Sequence, residues 1–155
     1  MMEQYSQSLW TFLESNHFGL NERMEMGIKL TKELKIAHNG EVVHRDLKPT
    51  NIMIDVNKEL ALVDFGIGYN VGTLRGSCGT PGFNAPEQFA CEYQNKLVDI
   101  FSLGKNLILI LFEWKIGWNL LWSSKEWINS QKLEHKLDTL AELLLLIRQM
   151  MQVYL

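Results

Sequence analysis

The residues best equipped for chemistry sit in one run, His44-Arg45-Asp46-Leu47-Lys48-Pro49-Thr50-Asn51. It places a carboxylate (Asp46), an ammonium (Lys48) and a carboxamide (Asn51) in one short loop, with Pro49 holding the turn. A second carboxylate, Asp64, follows after one further strand-like stretch. Taken alone, a single charged loop of this kind reads as solvated surface between two strands.

The flanks favour a displayed site. Val42-Val43 leads in and Ile52-Met53-Ile54 leads out, both rich in strand formers. A polar loop on a rigid strand scaffold is where proteins present chemistry. Asp55-Val56-Asn57-Lys58 reads as a turn, and residues 60–63 as a return strand that ends in Asp64-Phe65-Gly66. The result is a small hairpin with no room to grow into a large sheet. Upstream, residues 1–7 are short and polar. Residues 8–15 read as a helix with Leu9, Phe12 and Leu13 on one face, ended by Gly19. Asn21 is the expected cap of a longer helix running to about His38, with Met24, Ile28, Thr31 and Leu34 as one stripe and Leu30, Leu34 and Ala37 as a second. Gly27 inside it costs about 1 kcal/mol relative to Ala and points to close packing. Asn39-Gly40 stops that helix. Downstream, residues 66–84 hold six glycines and little apolar pattern, so they read as a long loop of the functional kind. Ala85-Pro86-Glu87 restarts helix. Residues 97–114 read as a central buried helix entered at Asp99, residues 125–131 as a short helix, and residues 137–153 as an amphipathic one. The pattern predicts one domain over residues 1–155 in the α+β class, mostly α.

Composition sets the outer bounds. The chain has 155 residues, 46% of them hydrophobic and 21% charged, as in ordinary globular domains. Its net charge of −3 leaves no basic footprint for nucleic acid. The longest unbroken apolar run is Leu107 to Phe112, far short of the roughly 20 residues of a membrane helix. No basic residue precedes Arg23 and no apolar core follows the start, against a secretory signal. Cys78 and Cys91 lack CxxC spacing and read as free intracellular thiols, and the four histidines are scattered, so no zinc site is expected. The expected location is intracellular, in the cytoplasm.

The run HRDLKPTN resembles the catalytic loop of protein kinases. Asp64-Phe65-Gly66 resembles the family's DFG, and Ala85-Pro86-Glu87 its APE, in the family's order. Gly79-Thr80-Pro81-Gly82-Phe83-Asn84-Ala85-Pro86-Glu87 is similar to the family's GTPxYxAPE loop, with Phe83 in place of Tyr. Lys48 and Thr80 follow the serine/threonine pattern. Asp99-Ile100-Phe101-Ser102-Leu103-Gly104 resembles DxWSLG, and Met2-Glu3-Gln4-Tyr5 resembles the hinge sequence VMEY. The resemblance covers the C-terminal lobe, with residues 64–87 as the activation segment.

The resemblance implies transfer of the γ-phosphate of ATP to protein Ser or Thr hydroxyls. Asp46 would orient the incoming hydroxyl and Lys48 neutralise the moving phosphoryl group. Asn51 and Asp64 would hold Mg²⁺. Glu3 and Tyr5 would bond adenine above Met53. Arg45 would receive a phosphate carried at Thr73 or Ser77. Thr80 and Phe83 would belong to the substrate loop. His44 and Phe65 would stack on the other lobe, and Asp99 would hold the catalytic-loop backbone, with a helix N-cap as its simpler role. Glu87 would want the family's late Arg, for which Arg148 on a different helix is the substitute. These residues include no GxGxxG loop, no VAIK-like Lys and no counterpart of the αC Glu; Lys29, Lys32 and Lys35 all fall on the long helix. Two readings stand. One is a kinase of which this chain is a truncated, inactive part. The other is a kinase-like module that docks a partner, with a partner chain over the face left by the N-lobe and the Trp-rich stretch Trp118, Trp122, Trp127 as core or uncovered patch.

Overall fold

The computed structural model describes residues 7–65, 69–70, 79–90 and 94–112. Helices α1 (Leu9–Ser15), α2 (Leu20–Asn39), α3 (Pro86–Phe89) and α4 (Leu97–Leu111) surround a small amount of sheet, so the fold is mixed and rich in helix. Strands β3 (Ile52–Ile54) and β4 (Leu60–Leu62) form the expected antiparallel hairpin, pairing Met53 with Ala61. Two short strands were not expected. β1 (Gln7–Ser8) adds to the free edge of β3, with Ser8 opposite Met53. β5 (Tyr69–Asn70), inside the stretch read as loop, pairs with β2 (Val42–Val43). Two residues leave no alternation to read, and both strands pair with distant partners.

The helix ends differ from expectation for local reasons. Ser8 is the N-cap of α1, not its first residue: its hydroxyl accepts from Thr11 N–H. Gly19 caps α2 in place of Asn21, and its N–H is bonded by the Glu22 carboxylate three residues on. Asp99 lies inside the first turn of α4, behind Lys96 as N-cap, and α4 stops at Leu111, where Phe112 turns extended. The expected helices at 125–131 and 137–153 lie outside the described residues.

The core gathers α1, α2, the β3–β4 hairpin and α4. Leu9, Leu30, Leu34, Leu47, Ile52, Ile54, Leu103, Leu107, Leu109 and Ile110 are all wholly buried. Each such side chain contributes about 1.5–3 kcal/mol relative to exposure. The buried face of α2 runs through Arg23, Met26, Gly27, Leu30, Thr31, Leu34 and His38. Leu30, Thr31 and Leu34 are buried as expected, while Met24, Ile28 and Ala37 are only half-buried and the neighbouring Arg23, Gly27 and His38 are buried instead. Gly27 is indeed buried, and its carbonyl accepts the Thr31 hydroxyl (2.8 Å). Among the described residues no helix is long and apolar enough to cross a membrane.

Candidate active site

Residues 44–48 form no ladder of their own, so their backbone groups need partners from elsewhere. The side chain of Asp99, wholly buried, accepts the N–H of His44 at Oδ2 (2.7 Å) and of Arg45 at Oδ1 (2.8 Å). The Gln88 amide donates to Arg45 O (2.8 Å) while its own oxygen accepts Ala85 N–H (2.9 Å). Asn51 Nδ2 donates to Asp46 O (3.0 Å), and Asn106 Nδ2 to Leu47 O (3.0 Å). This framing lets Arg45 keep a left-handed backbone (φ 69°), which costs a non-glycine residue about 1–3 kcal/mol. Gly79 approaches the same peptide so closely that a Cβ there would stand 2.8 Å from Arg45 O and 2.5 Å from Asn84 Oδ1. Only glycine fits, doubly so at φ +88°.

The side chains of the loop converge on Asp46. Lys48 Nζ lies 2.9 Å from Asp46 Oδ2 and donates to Thr80 Oγ1 (2.8 Å). The Thr80 hydroxyl donates in turn to Asp46 Oδ1 (2.7 Å). Asn51 Nδ2 donates to Asp46 Oδ2 (3.2 Å). A half-buried carboxylate thus meets an ammonium, a hydroxyl and an amide. The Asn51 bonds both leave through Nδ2, so its Oδ1 remains as an oxygen donor. Val63 N–H donates to Asn51 O (3.0 Å), and Asp64 is the next residue along the chain. Asp64 is exposed and also left-handed (φ 63°). Among the described residues no group of three or more His, Cys, Asp or Glu gathers to hold a metal. The donor set of one carboxylate and one amide oxygen nonetheless fits Mg²⁺, which leaves most of its sphere to phosphates and water.

His44 reads differently from expectation. It is wholly buried within this chain, 4.6 Å from the Phe65 ring centroid to centroid. Its Nδ1 accepts Asp46 N–H (3.3 Å) and its Nε2 lies 3.0 Å from Val63 O, so the proton sits on Nε2. It needs no residue from another lobe to cover it; Phe65, 36% exposed, still presents its outer side. The Arg45 side chain is buried too, with Nε bonded to Gln94 Oε1 (2.9 Å). Phe83 packs into the core at 5% exposure, and its carbonyl accepts the Ser102 hydroxyl (2.8 Å). Glu87 is half-buried, and no described basic side chain reaches it. Met53 lies half-buried on β3. Glu3, Tyr5, Thr73, Ser77, Arg148 and the Trp-rich stretch lie outside the described residues.

Sequence reasoning missed His38, Gln88, Gln94 and Asn106. His38 Nε2 bonds Asp99 Oδ2 (2.8 Å) from the end of α2. Asn106 had a legible signal: a polar residue beside the apolar run, two turns after Asp99. The two glutamines had none, because a short helix or isolated bridge has no period to mark its inner face.

These strands and helices carry a half-buried Asp–Lys–Thr–Asn cluster, with a second carboxylate, Asp64, just after β4. The protein kinase domain profile matches residues 1–152. The chain belongs to the protein kinase family. It is 36% identical over 108 residues to mouse (Mus musculus) serine/threonine-protein kinase SIK1, covering 66% of this chain and 14% of that protein. It is 38% identical over 91 residues to the phosphorylase b kinase gamma catalytic chain, liver/testis isoform, of Bos taurus, covering 53% and 22%. With serine/threonine-protein kinase SCH9 of Candida albicans the figures are 40% over 96 residues, 59% and 12%. The chain therefore spans less than a quarter of the length of these relatives.

Proposed function

We propose that these residues are the C-terminal-lobe part of a protein serine/threonine kinase, and that the protein carrying them transfers the γ-phosphate of ATP to Ser or Thr hydroxyls of a protein substrate. The observation that supports this reading is the convergence of Lys48, Thr80 and Asn51 on the Asp46 carboxylate. Asp46 accepts the hydrogen bond of the incoming hydroxyl and aims its oxygen. Lys48 sits between that carboxylate and Thr80, where its charge offsets charge on the moving phosphoryl group. Asn51 and Asp64 hold Mg²⁺, which supplies positive charge to the phosphates when bound. Positioning and charge are most of what this reaction asks of a protein.

The remaining assignments belong to the same proposal. Glu3 and Tyr5 bond adenine and Met53 floors it. Residues 64–87 form the activation segment, with Thr80 and Phe83 in its substrate-facing end and Glu87 closing it. Arg45 answers a phosphate at Thr73 or Ser77. The protein works inside the cell, in the cytoplasm.

The test uses the intact protein. Asp46→Asn keeps the size of the side chain but exchanges an accepting oxygen for an amide NH2, which only donates. We expect kcat to fall about 10²–10⁴-fold, the usual worth of a positioned base, with ATP affinity little changed. Steady-state kinetics together with nucleotide titration reads both. Undiminished turnover in Asp46→Asn removes Asp46 from the mechanism.

A further inference from the structure

Helix α4 is apolar along most of its length, yet Asp99, Ser102 and Asn106 are buried on one face of it. Asp99 holds the N–H groups of residues 44 and 45, and Ser102 holds Phe83 O. Asn106 is wholly buried and gives both hydrogens of its amide away, one to Ser102 O (2.7 Å) and one to Leu47 O (3.0 Å). Its own Oδ1 has no partner. An amide is a poor way to fill that space, because the orphan oxygen has lost water and gained nothing. The bond to Ser102 O does not require it, since that carbonyl is inside a helix and already serves the helix's own ladder. What Asn106 alone provides is a donor for the Leu47 carbonyl, the peptide that joins Leu47 to Lys48.

We propose that Asn106 is a positioning residue that fixes the Leu47–Lys48 peptide and thereby sets Lys48 Nζ against Asp46 and Thr80. This rests on the kinase reading given above. Leu47 is pinned from two sides: its side chain lies in the core and its carbonyl is held by α4. Lys48 then leaves a fixed point, and its carbonyl in turn accepts Asn51 N–H (2.9 Å), closing the turn that presents Asn51. Replacing Asn106 with Leu exchanges one orphan acceptor for another, Oδ1 for Leu47 O. The fold gains and loses about equally. The loop, which lies near the surface at Asp46 and Lys48, relieves the new orphan by shifting its peptide toward water.

The test is Asn106→Leu in the intact protein. We expect kcat to fall about tenfold with KM for ATP and the urea midpoint unchanged, a tenfold change being the scale of one net hydrogen bond. We expect amide exchange at Asn51 N–H to quicken about tenfold while the amides of α2 keep their rates. An unchanged kcat with unchanged Asn51 exchange overturns the proposal. A fall in the urea midpoint that accounts for the whole activity loss also overturns it, by making the role merely structural. If the wild-type protein shows no Asp46-dependent transfer, the kinase reading has failed. The Asn51 exchange rate then decides on its own, and a rate equal to wild type overturns the positioning role. Should Asn106→Leu not fold, Asn106→Ser, which leaves room for water at Leu47 O, is judged by the same outcomes.

Discussion

The role proposed for Asp46 asks it to do two things that compete. For that role its oxygens would have to stay available to an incoming hydroxyl, yet Lys48, Thr80 and Asn51 already bond them. A carboxylate has about four lone-pair sites, so three donors leave one open. Thr80 is the adjustable member, because a hydroxyl that both accepts from Lys48 and donates to Asp46 can rotate when a fourth donor arrives. Charge elsewhere is less well matched. Glu33 on α2 has its carboxyl raised above the ordinary value of 4.5, first by burial and then by the neighbouring Glu59 charge. A raised acid opposes folding where it is ionised, so the penalty stands above the raised value and vanishes as pH falls below the ordinary one. Glu33→Gln should therefore stabilise the protein at neutral pH, by about 0.5 kcal/mol at most after solvent screening. Thermal unfolding at pH 7 and again below pH 4.5 checks it, with the gain expected only at the higher pH. Glu22 has the opposite sense: the Lys58 hydrogen bond, then the Gly19 N–H, lower its carboxyl. Its contribution is present above the ordinary value and is lost as pH falls through the lowered one.

Helix α4 works as a post to which loops are tied: near its start its own Asp99 receives groups from elsewhere, and at its end a cation from α2 holds its carbonyls. At its start Asp99 accepts two backbone donors and the His38 ring. At its end the Arg23 guanidinium, buried on α2, donates to Ile110 O (3.1 Å) and Phe112 O (2.8 Å), while its Nε donates to Phe18 O (2.9 Å). A helix leaves its last carbonyls without intrahelical partners, and a cation there also opposes the dipole. Arg23→Leu should cost about 2–4 kcal/mol, since buried carbonyls lose a charged donor. Arg23→Lys should recover only part, because one ammonium cannot reproduce the planar fork. Urea unfolding of both variants reads the difference, and a Leu variant as stable as wild type would remove Arg23 from the account of α4. Here the reach of sequence is plain. The hairpin and the cores of α2 and α4 were legible because apolar periodicity is strong there. Asp99 was legible because a motif pointed to it. Arg23 was not, since a basic residue near a helix start reads as solvated surface; its burial depends on carbonyls from a helix 87 positions away. Strands β1 and β5 were illegible for the same reason, each being two residues long and defined by its partner.

The molecule as a whole holds one half of a reaction apparatus better than the other. The described core is continuous from α1 through the hairpin to α4, and four backbone groups of the loop are held by buried side chains of α3 and α4: Gln88, Asp99 (twice) and Asn106. His44 is covered within these residues. A nucleotide, on the proposed function, would be served differently. Among these 155 residues no GxGxxG loop and no VAIK-like Lys occurs, and Lys29, Lys32 and Lys35 lie on α2. In the family those parts clamp the ATP phosphates. A polypeptide of residues 1–155 by itself should therefore bind Mg²⁺-ATP weakly. Water competes for each phosphate contact in an open site, and the electrostatic stabilisation that a closed, low-dielectric site supplies is reduced. Misplaced phosphates remove the benefit of orientation, which is worth about 7–11 kcal/mol when fully used. We expect no turnover above background. The experiment purifies this polypeptide, supplies labelled ATP, Mg²⁺ and a generic protein substrate, and runs Asp46→Asn beside it to reveal contaminating kinase. Transfer well above that control would overturn the expectation, and would mean that side chains within these residues, or a copurifying partner, clamp the phosphates.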